Sequence, residues 1–311
     1  MTDDRSPRGD SPLERRSSGV LCHPTSLPGP YPTGDLGPEA RRFVDFLVAS
    51  GQRLWQVLPL GPPGFGATPY QTLSAFAGSP GLLSPDCLFE DGYLTQEELE
   101  EAKHGAAERE TALWRAFQSF TSTGRGRDEF DAFRADQAHW LDDYVLFTAG
   151  KGFRGGKPWL QWDRPLGTRE PWALARLRSD RAEQIAYQEF LQWQFRRQWG
   201  ALRRYANERG VALIGDAPIF VALDSADVWA HPEIFLLDED RRPAVVAGVP
   251  PDYFSKDGQL WGNPLYDWDA LRQRDFDWWI ARLRAVFSLT DAVRLDHFIG
   301  FYRAWAVPAR A

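Results

Sequence analysis

The sequence predicts an α/β fold built on a parallel sheet, and three observations carry that reading. A helical pattern ends at a short apolar strand three times over. A further short strand precedes the first helix. In all four strands the polar or turn-forming residues gather at the C-terminal end. Strands joined through helices run parallel, because a parallel neighbour is reached only by a crossover long enough to hold a helix.

The first strand is "GVLCH" (residues 19–23). In "GPEARRFVDFLVASGQRLWQVLPL", Pro38 suits a first helical position and Phe43, Phe46 and Leu47 make an apolar face. Gly51 closes that helix before "RLWQVLPL" extends. In the second unit Tyr187, Leu191, Phe195, Trp199, Leu202 and Ala206 recur at spacings of three and four. Gly210 stops the helix and "VALIGD" extends. In the third, Leu271, Trp279, Leu283 and Phe287 precede "DAVRLDH".

Residues 80–180 break this rhythm with helical, acidic and Trp-bearing stretches, and are expected to form an inserted, mainly helical subdomain. Residues 224–268 read as a long irregular insertion between strand and helix, a length at which loops are usually functional. Residues 1–18 are polar and rich in Pro, Ser and Arg, and are expected to form a disordered leader.

At the strand ends stand His23, "PLGP", Asp216 and Asp296. A (β/α)8 barrel carries its chemistry on that face, and a doubly wound sheet also binds ligands there. Spacing leaves both folds open, although the glycine-rich phosphate loop of the second is missing after all four strands.

Composition narrows the function. With 43% hydrophobic and 25% charged residues among 311, the chain has the makeup of a globular protein. No apolar run is long enough to span a bilayer and no signal-peptide core is present, which argues against a membrane partner. The net charge of −7 argues against nucleic acid. Two cysteines, Cys22 and Cys87, make no disulfide framework and fit a reducing cytoplasm. The 14 Trp, 20 Phe and 9 Tyr serve either core packing or platforms for sugar rings.

Arg294 and Asp296 are two apart on a strand, so they share one face while Val293 and Leu295 take the other. An Arg beside a carboxylate favours its ionised form, which suits a nucleophile or an oxocarbenium stabiliser. On spacing alone the pair is also readable as a structural ion pair. A third reading takes Asp296 and His297 as metal ligands, but their side chains alternate and no second Asp/His cluster supports them.

Asp216 ends an apolar strand, where a charge must be bonded, paired or functional, and a plain turn cap is its bland counterpart. "GFGATPYQ" presents Tyr70 and Gln71 on a Gly/Pro-bounded loop or, equally, packs Tyr70 in a tight turn. "GVPPDYFSKDGQLWGNPLYDW" gathers Tyr253, Phe254 and Trp261 in one loop, a composition suited to an aromatic lid over a polar ligand. His231 reads as a buried, hydrogen-bonded histidine. No Ser-His-Asp signature, Walker loop or zinc spacing occurs, and no cofactor or metal is implied.

Six stretches in order carry a family pattern: "SSGVLCHPTSLPGP", "GDLGPEARRFVDFLVASGQRLWQVLPLGP", "TPYQTLSAFAG", "GDAPIFVALDSADVWAHPEIFLLDED", "VVAGVPPDYFSKDGQLWGNPLYDW" and "VRLDHFIGFYRAWAVPA". Together they resemble amylomaltase, the bacterial 4-α-glucanotransferase of the α-amylase clan, over residues 17 to 311. The resemblance implies the N-terminal half of a (β/α)8 TIM barrel, about strands 1–4, with the helical insertion. It implies a retaining transfer of α-1,4-glucan segments among maltooligosaccharides, glucose and α-1,4-glucans.

By the same resemblance Asp296 would be the nucleophile, Arg294 would keep it charged and Asp216 would be the supporting carboxylate. Tyr70 would stack beneath the donor sugar, with Gln71 and His297 beside the substrate. Asp252, Tyr253, Phe254, Gln259, Trp261 and Asn263 would belong to a loop that folds over acceptor sugars. Pro32 and Thr33, Ala67 and Thr68, and Ala306 depart from the family pattern; these changes bear on local loop shape and some sugar contacts. The family's general acid/base Glu and a further essential Asp would lie beyond Ala311. The chain is therefore expected to be the N-terminal part of a longer cytoplasmic enzyme, with little turnover alone. An α-amylase-type hydrolase and a non-catalytic glucan-binding remnant are the competing readings, and the oligomeric state is not fixed by the sequence.

Overall fold

The computed structural model describes residues 15–64, 66, 68–251, 253 and 255–309. Residues 1–14, most of the expected leader, lie outside the described residues, as do Asp252 and Phe254 of the aromatic loop. Ser18 lies at the sheet edge, where its carbonyl accepts from the Arg53 N–H at 2.9 Å.

In chain order the elements are β1 (Gly19–Leu21), α1 (Pro38–Ala49), β2 (Leu54–Gln56), α2 (Pro85–Glu90), α3 (Gln96–Ala102), α4 (Ala106–Thr123), α5 (Arg127–Phe153), α6 (Arg164–Gly167), α7 (Pro171–Asp180), α8 (Ala182–Glu208) and β3 (Ala212–Ala217). There follow α9 (Ala226–Ala230), β4 (Val245–Val249), β5 (Gln259–Pro264), α10 (Trp268–Gln273), α11 (Asp277–Leu289), β6 (Ala292–Leu295) and β7 (Trp305–Pro308).

The four expected strands form one parallel sheet in the order β1-β2-β3-β6. They are shorter than the apolar runs that announced them. β2 ends at Gln56, with Val57 still donating to the Ile214 carbonyl at 2.9 Å, and Pro59 then has no N–H to continue the ladder. β1 approaches β2 so closely that a Cβ on Gly19 would stand 2.2 Å from the Leu54 carbonyl oxygen, which explains a glycine at the strand start.

Two apolar faces needed correction. On α1 the buried stripe is Ala40, Val44 and Leu47, at spacings of four and three, whereas Phe46 is 58% exposed. On α11 Trp278, Trp279 and Arg282 are buried, and Phe287 is exposed. On α1 Phe46 lies about 100° round the helix from Leu47 and falls outside the narrow stripe of Ala40, Val44 and Leu47. The stripe read on α8 does face inward: Leu191, Phe195, Trp199, Leu202 and Ala206 are buried and Tyr187 packs against them.

The stretch 80–180 holds helices α2 to α7, which are built into the core beside the sheet. One buried cluster joins Trp55 and Leu213 of the strands to Leu113, Phe120 and Phe190 of α4 and α8. A second joins Tyr144 and Phe147 of α5 to Trp229, Tyr266 and Trp279. The stretch 224–268, expected as irregular, holds α9, β4 and β5, and β4 sits centrally in an antiparallel sheet ordered β5-β4-β7. In sequence β4 and β5 fall between β3 and β6, and β7 follows β6.

Candidate active site

The register of the parallel sheet builds the site. β3 and β6 pair with Asp216 opposite Arg294 and Ala217 opposite Leu295. Partners in a parallel ladder direct their side chains to the same face, so Asp216 and Arg294 emerge together, and Asp296 two residues on emerges beside them. Asp296 lies just past β6, held in line by its N–H donating to the Ala217 carbonyl at 3.3 Å.

Arg294 joins the two carboxylates. Its Nη1 donates to Oδ1 and Oδ2 of Asp216, each at 3.0 Å, and its Nη2 donates to Oδ1 of Asp296 at 2.5 Å. The Tyr70 hydroxyl donates to Asp216 Oδ2 at 3.0 Å. Both oxygens of Asp216 are thus engaged, whereas Oδ2 of Asp296 receives no hydrogen bond among the described residues. The Asp216 side chain is 1% exposed and that of Asp296 42%.

These contacts set the charges. Burial raises the Asp216 carboxyl above the usual range, and the Tyr70 hydroxyl and Arg294 oppose the rise without cancelling it. For Asp216, desolvation thus outweighs the guanidinium. Burial also raises the Tyr70 phenol, and the charge of Asp216 adds to it. For Arg294 burial works against the charged form, but Asp216 and Asp296 outweigh it and its pKa is raised. The guanidinium is a fixed cation.

Among the remaining predicted residues, two sets of contacts stand out. Gln71 donates to Asn263 Oδ1 at 3.3 Å, and buried Asn263 donates to the Val221 carbonyl at 2.8 Å, tying the loop after β2 to β5 and to the segment after β3. Trp261 meets His297 edge to face with centroids 4.9 Å apart, and its indole N–H donates to Gln259 Oε1 at 2.9 Å. Phe220 completes this cluster, 6.3 Å from Trp261 and 6.4 Å from His297. Tyr253 has 97% of its surface exposed. His231 is half-buried, with Nδ1 3.5 Å from Glu233 Oε1.

The backbone turns sharply after Asp296. His297 has a φ of 47°, a left-handed conformation uncommon for a residue with a Cβ, and Gly300 closes the turn by donating to its carbonyl at 2.8 Å. A Cβ on Gly300 would come within 2.8 Å of Ile219 Cδ1. The turn therefore packs directly on the segment that follows Asp216.

Sequence reasoning missed what holds that segment. Buried Arg282 on α11 donates Nη1 to the Ile219 carbonyl at 2.9 Å and Nη2 to the Pro218 carbonyl. The Tyr266 hydroxyl donates to the same Ile219 oxygen at 2.9 Å. The signal was an arginine three and four residues from Trp279 and Trp278, on the apolar face of its helix. Its guanidinium stands over both indoles, at 5.4 and 4.8 Å.

No cluster of His, Cys, Asp or Glu among the described residues could hold a metal ion, and none of their helices is long and apolar enough to cross a membrane.

The fold and site define an α/β protein with a carboxylate–guanidinium–phenol centre at the carboxyl ends of parallel strands. A sequence profile described as 4-alpha-glucanotransferase matches residues 22–311, and the chain belongs to that family. It is 52% identical over 302 residues to a 4-alpha-glucanotransferase of Thermus thermophilus, covering 94% of this chain and 60% of that protein. It is 46% identical to the 4-alpha-glucanotransferase of a Synechocystis strain, covering 95% of this chain and 61% of that protein. Among solved structures, an amylomaltase from Streptococcus agalactiae in complex with acarbose superposes with a TM-score of 0.91 at 40% identity, covering 96% of this chain and 62% of that one. The chain thus spans about 60% of the length of the relatives it matches.

Proposed function

We propose that this chain carries the nucleophile and its charge partners for a retaining 4-α-glucanotransferase reaction. The observation that carries the reading is Arg294, hydrogen-bonded at once to buried Asp216 and half-exposed Asp296, with Asp296 Oδ2 left open. In the first step Asp296 Oδ2 attacks C1 of a glucose unit. The glycosidic C1–O bond breaks, and a covalent glycosyl-Asp296 ester forms. In the second step an acceptor sugar hydroxyl gives its proton to a second carboxyl, left as a carboxylate by the first step. Its oxygen attacks C1, releases Asp296 and restores the original anomeric configuration.

Arg294 donates to Asp296 Oδ1 before attack and stabilises the carboxylate as a leaving group afterwards. Asp216 orients the guanidinium, and Tyr70 supports the sugar from below while bonding Asp216. The proton taken up by the departing oxygen comes from that second carboxyl, which retaining chemistry places about 5–5.5 Å from the nucleophile. Asp216 does not fill that role, because both of its oxygens already accept hydrogen bonds.

In this reading Gln71 and His297 flank the substrate, and the loop of Asp252, Tyr253, Phe254, Gln259, Trp261 and Asn263 binds acceptor sugars. A covered intermediate favours transfer to sugar over hydrolysis. The substrates in this reading are maltooligosaccharides, glucose and α-1,4-glucans. The sequential order β1-β2-β3-β6 supports the reading of the sheet as strands 1–4 of a (β/α)8 barrel, since a doubly wound sheet reverses its order at the switch point. Residues 80–180 are then its helical insertion, and the free thiols of Cys22 and Cys87 fit a cytoplasmic setting.

The test uses an α-maltosyl fluoride, whose leaving group needs no proton and so isolates the nucleophilic step. Peptide mass spectrometry should find the maltosyl adduct on Asp296, absent from Asp296→Asn. An unmodified Asp296, or an adduct elsewhere, overturns the assignment.

A further inference from the structure

A second recess lies away from the strand ends, between the C-terminal turn of α5, the α6 segment and α7. It encloses about 290 Å³, and its lining includes Phe153, Trp172, Arg154, Asp163, Asp180 and Arg181. That size is near the lower end of the roughly 300–1,000 Å³ of small-molecule sites.

Its composition is unusual for a solvated helical surface. Trp172 is 58% exposed and Phe153 47%, and both flank the one recess. Isolated exposed apolar residues are ordinary, but two large rings beside a concavity with polar groups mark a binding surface. Nε of Arg154 and of Arg181 is buried without an acceptor among the described residues. The Arg154 and Arg181 guanidiniums stand 4.8 and 4.5 Å from the Phe153 ring centroid and fix its position.

Charge narrows the ligand. Arg154 pairs with Asp163, and Arg176 Nε pairs with Asp180 at 3.4 Å, so two of the guanidiniums are already neutralised. What remains is a mixture of donors and carboxylate acceptors around aromatic surface, which suits a neutral polyhydroxylated ring better than an anion. A sugar offers hydroxyls to the rim and an apolar C–H face to the indole.

We propose that this recess is an accessory binding site for an α-1,4-glucan chain, with Trp172 as the ring platform; the ligand class rests on the function proposed above. Such a site holds a long glucan on the protein without touching the reacting bond.

The test is affinity electrophoresis of the 311-residue chain through gels with and without amylopectin, together with calorimetric titration by maltoheptaose. Trp172→Ala should weaken both interactions roughly three- to tenfold, in the parent chain and in a Tyr70→Ala background alike. Trp172→Phe should retain most of the affinity, and thermal unfolding should be unchanged because Trp172 is exposed. If Trp172→Ala changes nothing while Tyr70→Ala abolishes binding, the accessory site is overturned and the proposed function stands. If the parent chain binds neither glucan, both are overturned.

Discussion

Asp216 and Arg294 are ladder partners on adjacent parallel strands, and a single guanidinium nitrogen of Arg294 stands 3.0 Å from both oxygens of Asp216. The pairing makes Arg294 a shared cation, because its other terminal nitrogen is committed to Asp296. Replacing it by Met leaves the buried Asp216 with the Tyr70 hydroxyl as its hydrogen-bond partner. Since the guanidinium side chain is 44% exposed, the loss of stability should stay near about 1–2 kcal/mol.

The pH dependence of that loss has a definite sign. The folded Asp216 carboxyl already titrates above its ordinary value, and removing the cation raises it further. An acid raised on folding holds its extra proton in the folded state. Its contribution is complete below the unfolded value, near about 4, and is lost as pH rises through the folded value. The Arg294→Met deficit should therefore be larger at about pH 7 than at about pH 4 in thermal melts. Equal deficits at the two ends would refute the account.

Tyr70 joins two functions that a pair of substitutions separates. Tyr70→Phe removes the hydroxyl bonded to Asp216 but keeps the ring; Tyr70→Ala removes both. The first should cost about 1 kcal/mol of stability and leave maltooligosaccharide binding nearly intact. The second should weaken binding at the strand-end site about tenfold. Calorimetric titration of the two variants side by side decides the matter, and equal losses of affinity would remove the platform role.

The centre of this site was legible because a strand has a period of two and a sheet has a fixed register. Arg294 and Asp296 on one face, and Asp216 at the end of an apolar run, follow from that periodicity alone. Their meeting required knowing that β3 and β6 are neighbours, which the chain order of the strands suggested. The second sheet was not legible. β4 pairs with β7 about sixty residues later, and Gly248 looks like a turn residue although its position instead admits a close strand, a Cβ there standing 2.8 Å from the Gln259 carbonyl oxygen. Phe46 lies off the buried stripe of α1 by its angle, whereas Phe287 keeps helical spacing with Trp279 and Leu283 and is exposed near the end of α11. Arg282 was overlooked because an arginine on a helix ordinarily marks the solvated face.

Buried Asp35 gives the chain a second pH-sensitive element, remote from the strand-end site. It accepts from the Gly37 N–H at 2.8 Å at the start of α1, and its Oδ2 is 3.8 Å from Arg109 Nη2. Burial pushes its carboxyl from 3.8 to about 6, against the opposing Gly37 hydrogen bond and Arg109. Burial likewise lowers the pKa of Arg109, so both partners bear the cost of leaving water. The stability conferred by protonated Asp35 is complete below about pH 4 and declines as pH rises toward 6, by up to about 3 kcal/mol. Asp35→Asn keeps the acceptor for Gly37 and should flatten that segment of the stability–pH curve in urea titrations. An unchanged curve would assign the dependence to other groups.

Arg282 tests whether the segment after Asp216 is held from behind. It binds the carbonyls of Pro218 and Ile219, and Asn263 binds that of Val221, so three carbonyls within four residues are held by side chains from later elements. Arg282→Met fills much of the same volume but takes the donor from the partly buried Pro218 oxygen, which should cost about 1–3 kcal/mol. Tyr266 still holds the Ile219 oxygen, so the fold should survive. The local consequence is faster amide exchange at residues 217–222 than in the helices. Arg282→Lys supplies one cationic donor and should restore part of the stability. If Arg282→Met lowers stability everywhere with no added exchange in this segment, Arg282 is a core residue alone and has no part in positioning Asp216.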